Sequence, residues 1–313
     1  MIQNVGILGL GSIGRRHARI LNGLDKNIKF FAYRTKKGSL TDTLAYIKNV
    51  DEKEFFSKSF DLIIISNPSS LHFKTLEKII KNGTAKKVFV EKPFCLPNEI
   101  KECKQILSKS KNIVIYPGNS LRFHPAITVI RDVIKSKKLG KTLECLTHFG
   151  TYMPNWHPYE NYKKSYASRK DMGGGVLLTS IHEIDLVCHL FGNPKLQRSF
   201  IGNIFLKDID VEDVAHLLME TEKCKIVNVS LNFFQKPLSR FIEICFEKGT
   251  ISWNFMDPSV LIKTGKKEHK KKIDNRIDSM YENMWKSILK NKMEYFEMDS
   301  VYNSLNIIKL ASK

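Results

Sequence analysis

The sequence lacks a long apolar run, a leader pattern and any paired cysteine motif. No segment of the 313-residue chain approaches the roughly 18 consecutive apolar residues that a membrane span needs. Met1-Ile2-Gln3-Asn4 leads directly into a predicted strand, without the basic and apolar regions of a signal peptide. The six cysteines form no CxxC and no metal-like spacing, so they are expected to be reduced, mostly buried thiols. These absences predict a cytoplasmic protein with no membrane partner and no bound metal.

Acidic residues are also scarce. The chain has 51 Lys and Arg against 32 Asp and Glu, a net charge of +19. The densest basic segment, residues 263–272, has no interleaved aromatics and no recognisable nucleic-acid motif. We therefore expect a solvated loop there and no nucleic-acid partner. The alternative is a positive field that attracts an anionic substrate. Charge alone does not choose between them.

The hydrophobic pattern divides the chain near residue 120. Before it, short apolar runs such as Val88-Phe89-Val90 alternate with helical stretches, as in a parallel sheet covered on both faces. After it come helices at 124–137 and 175–191, consecutive strands between 200 and 255, and closing helices. The prediction is an α/β protein. A Rossmann doubly wound parallel sheet occupies 1–120, and an α+β domain with an open, mainly antiparallel sheet occupies 121–313.

A glycine-rich turn follows the first strand and opens a helix. It fits GxGxxG, with Gly9, Gly11 and Gly14 as the glycines and Ser12-Ile13 between the last two. The first glycine permits a tight turn, the second lets the backbone approach a pyrophosphate, and the third allows close helix–strand packing. The motif predicts dinucleotide binding; the alternative is a glycine turn without a ligand.

The end of the second strand bears on which dinucleotide binds. An enzyme that prefers NAD usually has an acidic residue here, which bonds the ribose 2′-hydroxyl. This strand instead runs into Arg34-Thr35, and a guanidinium can clamp a 2′-phosphate. We predict NADP(H), with NAD possible if Arg34 is only a surface cation.

Several further motifs carry a family resemblance over essentially the whole chain. They read GLGSIGRRH from Gly9, SNPSSLH from Ser66, EKP from Glu91, GNSLRF from Gly118, and GGG from Gly173 leading to HEID at His182. Together they resemble the glucose–fructose oxidoreductase/inositol dehydrogenase (Gfo/Idh/MocA) family. Segments around Arg122, Trp156 and Tyr166 resemble the branch found beside genes for surface sialic-acid-type sugars.

The resemblance implies a reacting centre. Lys92, with a cis bond before Pro93, would lie near the nicotinamide and stabilise alkoxide character. His182 would be the general acid/base. The resemblance also implies cofactor contacts at Ser66, Asn67, Pro68, His72, Glu91, Lys92 and Asn119.

Substrate contacts are expected from phenol, guanidinium and indole groups. The candidates are Arg122, Trp156, Tyr162, Tyr166 and Arg169, although each tyrosine could equally serve loop packing.

One departure from the family lies one turn before His182, where members commonly carry an acidic residue. This chain has Leu178 and Thr179 there. Asp185, on the same helix face as His182, is the expected substitute and a further substrate-side candidate.

The prediction from sequence is an NAD(P)-dependent oxidoreductase. It would transfer a hydride between nicotinamide and an amino sugar, sugar phosphate or nucleotide sugar in surface-glycan synthesis. The alternative is a non-catalytic sugar- and NADP-binding regulator. The open sheet predicts a homodimer or homotetramer.

Overall fold

The computed structural model describes residues 2–34, 44–110, 112–156 and 161–312. Their contacts form two compact units. The first contains the chain up to Asn119 together with 171–173 and 281–296, and the second contains 120–170, 174–280 and the chain from Glu297 onward. A segment from far along the sequence therefore completes the first unit.

The first unit is built around a parallel sheet with helices between its strands. Its elements are β1 (Asn4–Leu8), α1 (Ser12–Leu24), β2 (Lys29–Tyr33), β3 (Ile47–Val50), α2 (Glu52–Ser57), β4 (Leu62–Ile65), α3 (His72–Asn82), β5 (Lys87–Glu91), α4 (Ile100–Lys109) and β6 (Val114–Gly118). The strand order is β3-β2-β1-β4-β5-β6, and every pair is parallel. This confirms the predicted Rossmann sheet. The order reverses between β1 and β4, where ligands of such sheets bind beyond the carboxyl ends of the strands.

The second unit is an α+β arrangement. Its elements are α5 (Pro125–Ser136), β7 (Thr142–Tyr152), α6 (Val176–Thr179), α7 (His182–Phe191), β8 (Lys195–Gly202), β9 (Val214–Glu220), β10 (Cys224–Asn232), β11 (Phe234–Phe246), β12 (Gly249–Asn254), β13 (Ser259–Thr264) and β14 (Lys267–Lys272). Two more helices follow along the chain: α8 (Ile277–Leu289), most of which belongs to the first unit, and α9 (Met298–Ala311), which belongs to the second. The sheet order is β14-β13-β12-β11-β7-β10-β9-β8, antiparallel except between β7 and β10. The open, mainly antiparallel sheet is confirmed.

The predicted helix over 175–191 is wrong as a single element. It is two helices, α6 and α7, and the segment is bent by 53° at the break. The first turn of α6 is held by Glu212, whose carbonyl oxygen accepts from Val176 N–H and whose carboxylate accepts from Leu177 N–H. Because no Pro or Gly marks the break, the sequence pattern predicted one continuous helix.

The basic segment 263–272 is not the expected loop. It forms most of the β13–β14 hairpin, which turns at Gly265 with φ +55°, and every residue of β14 is exposed. Lysines on an edge strand discourage pairing with another sheet. An all-polar strand has no apolar alternation, so the pattern could not reveal it.

Short or exposed elements were also missed. β3 has only four residues, and most of β8 is exposed. Both are edge strands, which bury too little surface to produce a periodic hydrophobic pattern in the sequence. The cysteines fit their expected burial: five of the six are buried and Cys245 is half-buried.

Candidate functional site

Two glycines of the first turn are required by the protein's own packing. Gly9 has φ +96°, and a Cβ there would lie 2.5 Å from the Asn67 nitrogen. At Gly14 a Cβ would lie 2.2 Å from the Gly9 carbonyl oxygen. The turn after β1 is therefore packed directly against the start of α1 and the loop after β4.

Gly11 differs, because nothing in the described protein requires it to be glycine. Its φ is −78°, and no heavy atom lies within 4 Å of a Cβ built there. It stands at the start of α1, whose first turn has no acidic residue and no side-chain cap among the described residues. Open space before uncapped N–H groups, including those of Ser12 and Ile13, suits a phosphate. The turn of residues 9–14, which we call the cradle, therefore fits a dinucleotide pyrophosphate.

The loop after β4 forms the other side of this cradle. Ser66 Oγ donates to the Gly9 carbonyl at 2.7 Å, and Asn67 Nδ2 donates to Thr75 Oγ1 at 2.9 Å. The buried Asn67 Oδ1 has no hydrogen-bond partner among the described residues, so it is available to a ligand donor. Pro68 follows and precedes a short 3₁₀ turn.

His72, predicted to contact the cofactor, lies between two loops of the first unit. Its ring is buried, with Nδ1 2.7 Å from the Pro93 carbonyl oxygen and Nε2 2.9 Å from the Asn67 carbonyl oxygen. Burial lowers its pKa against the opposing effect of these two backbone bonds. The ring therefore connects the loops after β4 and β5, and its predicted contact with the cofactor stays a prediction.

Arg34 lies at the end of β2 and is half-exposed, whereas Thr35 falls outside the described residues. Two cations of α1, which the sequence did not single out, act on Tyr46. Burial raises the pKa of Tyr46, and Arg19 and Arg15 oppose that rise. The Arg15 Nε also donates to the Leu10 carbonyl inside the glycine turn at 3.2 Å. No motif predicts this; only folding brings Tyr46 beside α1.

Lys92 follows a buried carboxylate that holds its backbone. Glu91 Oε2 accepts from Lys92 N–H at 3.0 Å, and Glu91 Oε1 lies 2.7 Å from His17 Nε2. Burial raises the pKa of Glu91, but the His17 hydrogen bond and the nearby Lys92 outweigh it, so the pKa is lowered. The Glu91 carboxylate therefore bonds the Lys92 backbone and His17, and its predicted contact with the cofactor stays a prediction. The Lys92–Pro93 bond is cis, as predicted.

A third residue completes this network from far along the chain. Trp285 Nε1 donates to His17 Nδ1 at 3.1 Å, and its ring packs on Phe89 with centroids 4.9 Å apart. An indole nitrogen can only donate, so His17 Nδ1 must accept, and its Nε2 carries the proton toward Glu91. Sequence reasoning missed Trp285 because its contacts are with residues more than 190 positions away.

His182 is the first residue of α7 and is half-buried. The preceding glycines are needed for packing. A Cβ on Gly174 would lie 2.5 Å from the Tyr166 carbonyl oxygen, and one on Gly175 would lie 2.3 Å from Glu212 Oε1. The turn into the helix is therefore closed by backbone and carboxylate contacts.

Asp185 and Arg122 are bonded to each other. Arg122 Nε donates to Asp185 Oδ2 at 2.8 Å and Nη2 donates to Oδ1 at 2.5 Å, with both side chains almost fully buried. Arg122 Nη1 also donates to Glu297 Oε2 at 3.1 Å. Burial alone would lower the pKa of Arg122, but Asp185 raises it above its usual value. Both side chains are therefore buried and bonded to each other, and their predicted contact with the substrate stays a prediction.

Glu183 is likewise used within the unit. Its Oε1 accepts from Arg240 Nε at 2.7 Å, and Glu183 is buried. The two acidic residues that follow His182 are thus both structural anchors of α7.

The aromatic segment before the glycines contains the remaining substrate candidates. Trp156 Nε1 donates to Thr151 Oγ1 at 2.8 Å, which leaves its half-exposed ring as an apolar wall. Tyr162 donates to Asp208 at 2.6 Å, which raises the pKa of Tyr162 to about 12. Tyr166 is half-buried and Arg169 is exposed. Residues 157–160 lie outside the described chain. Asn119 is buried immediately after β6.

Within the described residues, no single helix is long and apolar enough to cross a membrane. One bent pair, Lys170–Thr179 with His182–Phe191, meets that test by length and composition only. No group of three or more His, Cys, Asp or Glu side chains in that part of the chain could hold a metal ion.

Comparison with known proteins places these features in a family. Residues 3–117 match the model of the oxidoreductase family with an NAD-binding Rossmann fold, and residues 127–252 match the GFO/IDH/MocA C-terminal domain.

Individual relatives are distant. The chain is 28% identical over 209 residues to 2,7-anhydro-N-acetylneuraminate hydratase of Escherichia coli K12, which covers 64% of this chain and about half (53%) of that relative. It is 25% identical to inositol 2-dehydrogenase of Rhizobium meliloti, over 85% of this chain and 80% of the relative.

A solved structure of similar fold is the WlbA dehydrogenase of Bordetella pertussis in complex with NADH and UDP-GlcNAcA. Its TM-score is 0.79 at 15% identity, over 100% of this chain and 96% of that one. The two matched domains, in this order and over these residues, show that the chain belongs to the Gfo/Idh/MocA family of oxidoreductases.

Proposed function

We propose that this protein is an NADP(H)-dependent oxidoreductase that transfers a hydride between nicotinamide and a sugar hydroxyl or carbonyl. The observation that carries the proposal is Lys92, whose backbone is bonded to a buried carboxylate in the same unit as the glycine cradle. A lysine fixed in this way suits a reacting oxygen better than a mobile surface cation does.

The proposed chemistry divides between two side chains. The Lys92 ammonium donates to the sugar oxygen and stabilises negative charge as it develops there. The His182 imidazole takes the hydroxyl proton during oxidation and returns it during reduction. A bound nicotinamide supplies or accepts the hydride.

NADP is proposed as the dinucleotide because the described end of β2 carries Arg34 and no carboxylate that could bond a ribose 2′-hydroxyl. NADH in the WlbA complex shows that NAD serves a protein of this fold. The proposal of NADP over NAD therefore rests on this chain's own residues.

The proposed substrate is an amino sugar, a sugar phosphate or a nucleotide sugar of surface-glycan synthesis in the cytoplasm. Support comes from the UDP-GlcNAcA bound to WlbA and from the hydratase of a sialic-acid derivative among the relatives. The net charge of +19 favours an anionic substrate over neutral inositol. Trp156, Tyr166 and Arg169 are the proposed contacts, since each retains exposed surface.

A second candidate is a reaction without net redox change, in which the cofactor stays bound while the sugar is oxidised and reduced in one cycle. The relative named as a hydratase favours it, because adding water changes no overall oxidation state. Copurified NADP(H) that survives dialysis, with turnover of sugar but no lasting absorbance change, would distinguish this cycle.

A third candidate is a regulator that binds sugar and NADP without catalysis. The absence of an acidic residue at Leu178 and Thr179 motivates it. The presence of both Lys92 and His182 argues against it, because a binding protein needs neither an ammonium for a reacting oxygen nor a general acid/base.

The decisive experiment screens UDP-N-acetylglucosamine, its uronic acid, glucose 6-phosphate and myo-inositol for NADPH formation or consumption at 340 nm. Lys92→Ala should abolish the activity found, and Lys48→Ala should retain it. A protein that binds NADPH and a sugar, but turns over none by absorbance or by product analysis, would favour the regulator.

We also propose that the open face of the second unit's sheet packs against a second copy. Cross-strand register places Phe200, Leu218, Ile226 and Phe241 on one face, and each is at least 37% exposed. An apolar face of this breadth is unusual on a monomer, and a homodimer or homotetramer would cover it.

A further inference from the structure

The helix that begins with His182 is held by two buried ion pairs on its first turn. Glu183 bonds Arg240 of β11 at 2.7 Å. Asp185 bonds Arg122, from the 3₁₀ turn after β6, through two hydrogen bonds. All of these groups belong to the second unit.

Helix geometry sets where these anchors stand around the histidine. Successive residues are rotated by about 100°, so Glu183 lies about 100° to one side of His182 and Asp185 about 60° to the other. The two acidic side chains are about 160° apart across the histidine face. One ion pair would still allow the helix to roll about that contact, whereas two on opposite flanks oppose rolling in either direction.

The anchors also differ in what they join. Arg240 extends from the central part of the sheet, and its guanidinium lies over the Phe149 ring at 5.0 Å. Arg122 is fully buried and is held from its other side by Glu297, immediately before α9. Each arginine is therefore itself fixed, so neither can follow the helix if it turns.

We infer that the Arg122–Asp185 and Arg240–Glu183 pairs are a two-point clamp that sets the direction of the His182 imidazole. The four are positioning residues; none touches the reacting atoms. The inference rests on the proposed role of His182, and it explains how the imidazole is oriented when the preceding turn has no carboxylate. Buried ion pairs add little net stability compared with apolar packing, so a geometric role accounts for two of them on one turn.

The test follows the His182 imidazole directly. Protein labelled with ¹⁵N-histidine is titrated by NMR, and His182→Gln assigns the signal. Each pair is neutralised together, as Arg122→Gln with Asp185→Asn and Arg240→Gln with Glu183→Gln, so that net charge is unchanged. Lys86→Gln with Asp61→Asn is the matched control, because it removes an ion pair of the first unit.

The clamp predicts that either neutralised pair broadens or moves the His182 signal, with its pKa shifted by about half a unit or more. Neutralising the second pair after the first should change the His182 signal little further, because the loss of one anchor already lets the helix rotate about its axis. The exchange Glu183→Arg with Arg240→Glu should restore the signal. Purely stabilising pairs would instead lower the melting temperature and leave His182 unchanged, and that result would overturn the inference.

Asp185→Glu provides a second route if a neutralised pair does not fold. It keeps the charge but lengthens the anchor by one methylene, so the clamp predicts a displaced His182 signal in a folded protein. An unmoved signal counts against the clamp. No step requires turnover, so an inactive protein with a displaced signal would refute the proposed function and leave the clamp standing.

Discussion

Trp285 donates its indole N–H to Nδ1 of His17 at 3.1 Å, and this bond fixes which nitrogen of the histidine carries the proton. His17 Nε2 then donates to Glu91, which in turn accepts from the backbone of Lys92. A residue from α8 is thus connected to the backbone of Lys92, the proposed catalytic lysine, through two buried side chains.

Trp285→Phe should lower the free energy of unfolding by about 1–3 kcal/mol in addition to the loss caused by the smaller buried ring. The reason is that it leaves a buried acceptor on His17 unpaired. The measurement is urea unfolding. Trp253→Phe is the matched control: that indole is also buried, but its N–H has no partner among the described residues. Equal losses in the two variants would contradict the proposed importance of the His17 bond.

Gly11→Ala should leave the free energy of unfolding within about 0.5 kcal/mol, since open space and an ordinary φ receive the methyl group. NADPH affinity should fall about tenfold or more, equivalent to about 1.4 kcal/mol, because the methyl group meets the pyrophosphate.

Gly14→Ala is its counterpart, with the methyl group forced against the Gly9 carbonyl oxygen. It should cost about 1–3 kcal/mol of stability before any ligand is added. Denaturation and fluorescence titration separate the two effects. Unchanged NADPH binding in Gly11→Ala would remove the cradle argument.

Arg34→Asp should lower NADPH affinity by about tenfold or more and raise the relative affinity for NADH, because a charge-assisted pair is worth about 1.5–3 kcal/mol. Lys29→Asp makes the same charge change at the opposite end of β2 and should leave the preference intact. The dissociation constants of both cofactors are measured for each variant. An unaltered ratio in Arg34→Asp would refute the role of the guanidinium.

Asp61 should make stability fall in acid. Its pKa is lowered to about 2, mainly by the Lys86 hydrogen bond and further by the N–H groups of Gln3 and Asn4. A carboxyl group with a depressed pKa in the folded state contributes stability above its unfolded pKa near 4, and that contribution disappears as pH falls toward 2. The difference in unfolding free energy between the native protein and Asp61→Asn should therefore be largest above about pH 4 and close to zero at about pH 2. Urea unfolding across pH 2–6 measures this, and a constant difference would contradict it.

Ile226→Lys should weaken self-association by placing a charge in the proposed interface. Leu143→Lys is the control: both residues are 47% exposed, but Leu143 precedes Glu144, the residue paired with Ile226, and so points to the opposite side of the sheet. Sedimentation velocity compares the two. A monomeric native protein would refute the proposed assembly. Equal weakening of self-association by Ile226→Lys and Leu143→Lys would show that the interface does not lie on the proposed face.

Much of the fold follows from local sequence. The apolar runs of β1, β4 and β5 are buried on both faces of a parallel sheet, and such strands leave continuous hydrophobic segments that are readable in one dimension. Edge strands such as β3, β8 and β14 were missed because they are short, exposed or entirely polar.

The glycine turn, the family and the positions of Lys92 and His182 were all evident from residues close together along the chain. The sequence did not show whether an acidic side chain binds a ligand or anchors the fold. Asp185 was predicted to act beside His182, yet Asp185 and Glu183 are each bonded to an arginine more than 55 positions away. Which chemical groups are present, and which backbone turns they need, can be predicted from the sequence because both depend on neighbouring residues. Which charges neutralise each other depends on the folded chain, because a buried carboxylate pairs with whichever cation folding brings within reach.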